Sequence, residues 1–232
     1  MEDKLYSVAK FYQDNLNGRR FLLVAAKKNT VLTLEIFFNE NAFKHLTGLH
    51  KLEDLGMKTI SSEMLFTRVL NKELTYEAIK ESVFFNNMED RIENFQKIGS
   101  LLSKPDDLRK SLYGTFGQGS GITADYLLSQ KDDDKYIHLF LKEKGDIVLP
   151  VTFFSHNSSH YIAGNNTTRW NIVDIEEIKE KDDVKRKASL TELRAKLQLK
   201  TGRPFGELKE EVSNFHNSKE VNNNSDDGSE RN

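Results

Sequence analysis

The chain has 232 residues, 37% of them hydrophobic, which suits one domain with a real core, or one domain plus a small appendage. It contains no Cys, so disulfide and thiolate chemistry are excluded and a reducing compartment is expected. The formal net charge of −2 argues against wholesale, sequence-independent nucleic-acid binding, which usually comes with a strongly basic domain.

The opening MEDKLYSVAKFYQDNL is acidic from its second residue and lacks the apolar run of a signal peptide. No stretch approaches the ~18–20 apolar residues of a membrane span. A soluble cytoplasmic protein without membrane contact is the expectation. Leu5, Val8, Ala9, Tyr12 and Leu16 have helical spacing. FLLVAA and VLTLEIFF, joined by the polar KKNT, form a predicted hairpin. NENAFKHL follows as a short helix, with Asn39 or Asn41 at its N-cap and Gly48 as its terminator. Residues 62–112 show i, i+3, i+4 spacing in SSEMLFTRVLNK, LTYEAIKESVFF and MEDRIENFQKIGSLLS, and Pro105 precedes a last predicted helix, DDLRKSLY.

The Gly-rich GTFGQGSG, residues 114–121, marks a change of period. It lacks the G-K-[ST] ending of a phosphate loop and leads into a strand, so it reads as a connector. Beyond it, ITADYLLSQ, KYIHLFLK, DIVLPVTFF, HYIAG and TTRWNIVDI are short β-rich runs between polar breaks, the pattern of an antiparallel meander of four or five strands. Ser189 and Glu192 form a capping box ahead of LTELRAKLQLK, and PFGELKEEVSNF reads as one more helix. The fold class is therefore α+β: an N-terminal hairpin and several helices, then the meander, then a helical C-terminus. The divisions are a domain at 1–180, a basic helical extension at 185–216 and a disordered tail at 217–232.

Two regions offer chemistry. In FKHLTGLHKL, His45 and His50 are five residues apart, about 140° around a helix, so they do not share a face and do not make a zinc pair. His45 on the last helical turn would sit where the dipole favours an imidazolium. In KYIHLFLK, Ile137, Leu139 and Leu141 point toward the core, while Tyr136, His138 and Phe140 point the other way. A KEKGD turn would bring His138 near Pro150 and Tyr136 near Thr152, with Ser155, His156 and His160 at the rim. Imidazoles and hydroxyls on one sheet face suit metal-free general acid–base work on a ribose phosphate. The alternative is ordinary surface polarity on a solvent-facing sheet. The segment Lys185–Arg203 has seven basic residues against Glu192 alone, a net +6, with Leu190, Leu193 and Leu197 inward. Lys187, Arg194, Lys196 and Lys200 would contact RNA phosphates, or else form a solvated face balancing EEIKEKDD.

The element order and the F-x-H-L-T-G-L run, Phe43 to Leu49, resemble the phage- and mobile-element-associated nuclease family grouped with barnase, EndoU, the tRNase colicins and RelE. The resemblance covers roughly Phe21 to Ile178. It implies a helix-plus-antiparallel-sheet fold and a metal-independent, cofactor-free ribonuclease. Its partner would be RNA, tRNA included, with a host or immunity protein as a further partner. By position it places His45, Thr47 and Gly48 in the site or its scaffold. Joined to the sheet-face reading, the expected catalytic set is His45, Thr47, Tyr136, His138 and Thr152. Lys142, Ser155, His156, His160 and Arg169 would bind substrate. The alternative is a non-catalytic phage-encoded module that binds a host protein or nucleic acid.

Overall fold

The computed structural model describes residues 2–117, 121–157, 160–162, 166–179, 182–198 and 207–214. Helix α1 (Lys4–Asn15) starts at Asp3, whose carboxylate accepts the Tyr6 N–H, and it buries Leu5, Val8, Ala9 and Tyr12. Strands β1 (Arg20–Lys27) and β2 (Thr30–Phe37) form the expected hairpin. Helix α2 (Glu40–Thr47) follows and ends at Gly48, which is left-handed at φ 81°. A 3-10 turn at Leu49–Lys51 then leads to α3 (Ser62–Leu70), α4 (Tyr76–Lys80), α5 (Glu89–Asn94) and α6 (Lys97–Ser103). The second half holds β3 (Asp107–Ser111), the two-residue pair β4 (Thr115–Phe116) and β5 (Ile122–Thr123), and then β6 (Tyr126–Asp132), β7 (Lys135–Lys144), β8 (Ile147–His156) and β9 (Thr167–Glu177). Helix α7 (Asp183–Gln198) and a helix at 207–214 complete the described chain. Among the described residues no helix is long and apolar enough to cross a membrane.

The α+β class holds, but the sheet is not an open meander. Seven strands close into a barrel in the order β1-β2-β8-β7-β6-β3-β9. Every neighbouring pair is antiparallel except β2 and β8, which run parallel, so the sheet is mixed. Two misreadings explain the difference. DDLRKSLY has Leu108 and Leu112 at helical spacing, yet Asp107–Ser111 is strand β3 and fills the space between β6 and β9. Either strand would otherwise present an unpaired edge, and pairing overrides a weak local preference. The N-terminal hairpin is not a separate layer either: β1 pairs with β9 and closes the ring. HYIAG does not extend as a strand over 160–162, where the chain turns.

Three apolar clusters follow from this closure. The largest joins the helices to inward strand residues such as Leu23, Ile36, Leu108, Leu139 and Phe153. A second lies outside β1 and β9, where Leu22, Val24 and Val173 meet Leu190, Leu193 and Leu197 of α7 and Leu208 and Val212 beyond it. The three α7 leucines are thus inward, as their spacing predicts. That helix starts earlier than the Ser189 capping box implied: Asp182 caps it by accepting the Val184 and Lys185 N–H groups. The third cluster lies outside β6 and β7, where Phe116, Ala124, Leu127 and Phe140 pack with Ile122, Phe154, Tyr161 and Ile162. Because of it, the sheet face read as open is roofed by aromatic side chains. The predicted tail at 217–232 lies outside the described residues.

Candidate active site

The parallel seam between β2 and β8 is the weak point of the ring, with Ile36 and Val148 as its single paired position. Beyond it the strands diverge, and α2 and α5 fill the gap against β8. A cleft of about 520 Å³ lies between the turn after α2, α5 and the Thr152–Ser155 end of β8.

One wall is the FKHLTGLHKL stretch. Phe43 and Leu46 are fully buried, as expected, and Gly48 ends the helix. Thr47 is buried too. Its hydroxyl donates back to the Phe43 carbonyl at 2.8 Å, so it is spent within the last helical turn, and Thr47 is not part of the cleft lining. The turn at Gly48 brings His45 and His50 to 4.8 Å between ring centroids. The angle that would separate them on a continuous helix does not apply, because the helix stops between them at Gly48, as the sequence predicts. His50 Nδ1 lies 3.3 Å from the Lys44 carbonyl. A carbonyl only accepts, so Nδ1 carries the proton and Nε2 keeps its lone pair. Burial pushes His50 down to about 4, and burial together with Lys44 and Arg91 lowers His45. The dipole-stabilised imidazolium expected at His45 is thus not what its surroundings favour: both rings are held toward the neutral form.

The opposite wall is α5 and β8. Arg91 is 6% exposed, and its Nη1 donates to the His45 carbonyl at 3.0 Å and to Thr152 Oγ1 at 2.7 Å. Its guanidinium carbon lies 5.6 Å from the centre of the Phe154 ring. Both of these hydrogen bonds go to neutral acceptors. Burial lowers its pKa to about 10, with Asp90 opposing the shift, so it remains a cation at neutral pH. Asp90 next to it accepts the Ser155 N–H at 2.7 Å and the Ser155 hydroxyl, locking α5 to β8. Lys51, lowered by burial and by Arg91, lines the same cleft, and Ile122, Phe154 and Tyr161 form its apolar end.

Gly48 ties the two walls together. A Cβ there would lie 2.8 Å from Arg91 Cδ and 2.9 Å from Met88 Cβ. Gly48→Ala is therefore expected to cost about 1–3 kcal/mol, from the left-handed backbone and from displacement of Arg91. Chemical denaturation measures the loss.

The residues expected on the sheet face separate into groups. Thr152 and Ser155 reach the cleft. Thr152 pairs with Phe140, not Tyr136, and His138 pairs with Phe154, not with the Pro150 region, because the hairpin turns at Gly145–Asp146, with Lys144 already paired to Ile147, and a bulge between Phe140 and Leu141 shifts the register by one residue more. His138 is 0% exposed, bonded through Nδ1 to Ser129 Oγ at 2.9 Å and enclosed by Tyr136, Phe140, Phe154 and Tyr161. It lies behind the cleft's aromatic end. Tyr136 stacks on His138, while His156 and His160 pack against Tyr161 from outside. Lys142 pairs with Asp125 at 3.0 Å, and Arg169 with Asp107 at 3.4 Å, both away from the cleft lining.

Burial holds His138 at about 4. Between pH 6.5 and 4 the unfolded chain then binds a proton that the folded chain does not, so stability falls as pH drops through that window. His138 accounts for up to about 3 kcal/mol of that loss. Replacing it with Phe is expected to flatten the fall, as seen in denaturation midpoints measured across pH 4 to 7.

Arg91 was legible in one respect. Met88, Arg91, Ile92 and Phe95 fall at i, i+3, i+4 and i+7, which puts a lone cation on the apolar face of a predicted helix. His50 and Lys51 stood in the motif, but their place in the cleft depends on the turn at Gly48.

The fold is thus a mixed seven-stranded barrel with helices packed against β8, and a buried arginine lines the cleft between them. Residues 4–197 match the family model described as phage-Barnase-EndoU-ColicinE5/D-RelE like nuclease4. The chain belongs to this phage nuclease-like family. Comparison with curated proteins and with solved structures gives no match.

Proposed function

We propose that the chain is an endoribonuclease that cuts RNA by transesterification in the cleft beside α5 and β8, without a metal. The observation that carries this is Arg91, a buried cation bonded to neutral acceptors in a cleft that Phe154 and Tyr161 also line. A guanidinium in a low-dielectric site is a strong phosphate ligand, and aromatic faces accept nucleobases. The Thr152 hydroxyl accepts from Arg91, so its own proton is available to a phosphate oxygen.

In this reading His50 Nε2 takes the 2′-hydroxyl proton, and the 2′ oxygen attacks the adjacent phosphorus. Arg91 and Thr152 stabilise the negative charge of the phosphorane. Lys51, its pKa lowered, protonates the departing 5′ oxygen. The products are a 2′,3′-cyclic phosphate and a free 5′-hydroxyl. His45 steadies the His50 ring, and Asp90 with Ser155 positions Arg91.

The test is incubation of the protein with tRNA and with total RNA in EDTA from pH 5 to 8. Cleavage leaving 2′,3′-cyclic phosphate ends, lost in Arg91→Met and His50→Ala, is the expected result. Intact RNA throughout that range would overturn the proposal and favour a binding module.

A further inference from the structure

The barrel register places two arginines on the same outer face as the cleft. Arg169 pairs with Arg109, Arg109 with Leu127, Leu127 with Phe140, and Phe140 with Thr152. Directly paired residues point to the same side of a sheet, so these five form one row across five strands. Thr152, at one end, accepts from the cleft's Arg91. Arg169 and Arg109, at the other end, lie four strand spacings away, about 19 Å along the sheet. The middle of the row is the aromatic-capped patch over Leu127 and Phe140.

Like charges directly opposite each other on a sheet destabilise it. Here the two arginines share one carboxylate: Arg109 lies 3.0 Å from Asp107 and Arg169 lies 3.4 Å from it. The Arg109 side chain is 20% exposed and that of Asp107 11%, so this pair forms the seated base. Arg169 is 61% exposed and extends from that base into solvent. The cluster keeps one positive charge beyond what Asp107 balances.

We infer that the Arg109–Arg169 pair is a second phosphate-binding point for the same RNA strand, reached after the strand leaves the cleft and crosses the aromatic cap. This rests on the ribonuclease reading of the cleft and adds a substrate class to it: a strand long enough to span both points, gripped by its backbone at the far one. Backbone grip gives affinity without base selection, and it requires extension past the scissile phosphate.

The experiment measures binding of two cleavage-blocked probes, a 2′-O-methyl RNA dimer and a 2′-O-methyl decamer, across a salt series. Arg169→Gln removes the exposed cation and leaves the Arg109–Asp107 pair in place. The expected result is unchanged dimer binding, with decamer binding weakened about threefold at low salt and its log–log salt slope reduced by about 0.7, the value for one phosphate contact on a single strand. If decamer binding is unchanged while Arg91→Met weakens both probes, the second point is wrong and the cleft reading stands. Equal weakening of both probes by Arg169→Gln would also overturn it, since the arginine would then act at the cleft or through the fold. Failure of the wild-type chain to bind either probe overturns both readings.

Discussion

Arg91→Met is expected to lower RNA cleavage by about two to three orders of magnitude while leaving stability unchanged or raising it. The two signs come from the same geometry. Arg91 is nearly fully buried, and its two hydrogen bonds to the His45 carbonyl and Thr152 do not neutralise its charge. Holding an ion there costs desolvation that neutral acceptors only partly offset. Met fills similar volume without that cost. It leaves one hydroxyl, which can turn to solvent in the cleft, and one carbonyl without its guanidinium donor. A purely structural arginine would behave in the opposite way, with a clear loss of stability. In the proposed ribonuclease reaction the guanidinium meets the charge that develops on phosphate, and losing one such donor costs about 10²–10³ in rate. Single-turnover cleavage and urea denaturation of the same variant give both signs. Arg91→Lys sharpens the result, because an ammonium cannot serve the carbonyl, the hydroxyl and a phosphate in one plane, so most of the rate loss should remain.

How much of this was legible in sequence depended on whether local pattern or closure decided the structure. Helix α1, the β1–β2 hairpin, Gly48 as a helix stop and the inward leucines of α7 all follow from short-range periodicity, and all are present. Strand β3 does not, because Asp107–Ser111 is extended only through its neighbours β6 and β9. The same closure explains the sheet face. Alternation correctly put Tyr136, His138 and Thr152 on one side, but alternation cannot reveal that Phe116 and Tyr161 fold over that side. His138 consequently reads as an exposed acid–base group in sequence and is a neutral buried ring in the fold. The reverse holds for FKHLTGLHKL. Its helix-end reading is right, and the turn at Gly48 both brings two imidazoles together and leaves room for Arg91.

Arg186→Met is expected to be among the most destabilising single changes outside the apolar core, about 3–5 kcal/mol, and to do so without touching the cleft. In sequence Arg186 is one of the seven cations of Lys185–Arg203, next to Lys187 of the expected RNA-facing set. In the fold its side chain is 4% exposed, as is that of Glu35 on β2, with which it forms an ion pair. Arg186 also pairs with Asp183 at 2.9 Å, and Glu35 accepts from Arg20 at 2.6 Å. Arg194 adds a bond from its Nε to Thr33 at 2.7 Å, so two of the helix's cations tie α7 to the hairpin. Neither can serve as a freely extended phosphate contact; among the described residues that role is left to the exposed lysines, and Lys200 lies outside them. Removing Arg186 takes the buried partner from Glu35 and leaves it with Arg20 alone, whose side chain is partly exposed, and a buried charge that loses a partner is the costly outcome. Glu35→Leu together with Arg186→Met removes both charges, and Arg20, at 22% exposed, can turn to water. The double variant should recover most of the loss, so that its destabilisation falls well below that of Arg186→Met alone. A double variant as unstable as the sum of its parts would show that the pair does not couple, and that α7 is held by Leu190, Leu193 and Leu197 with the Arg194–Thr33 bond.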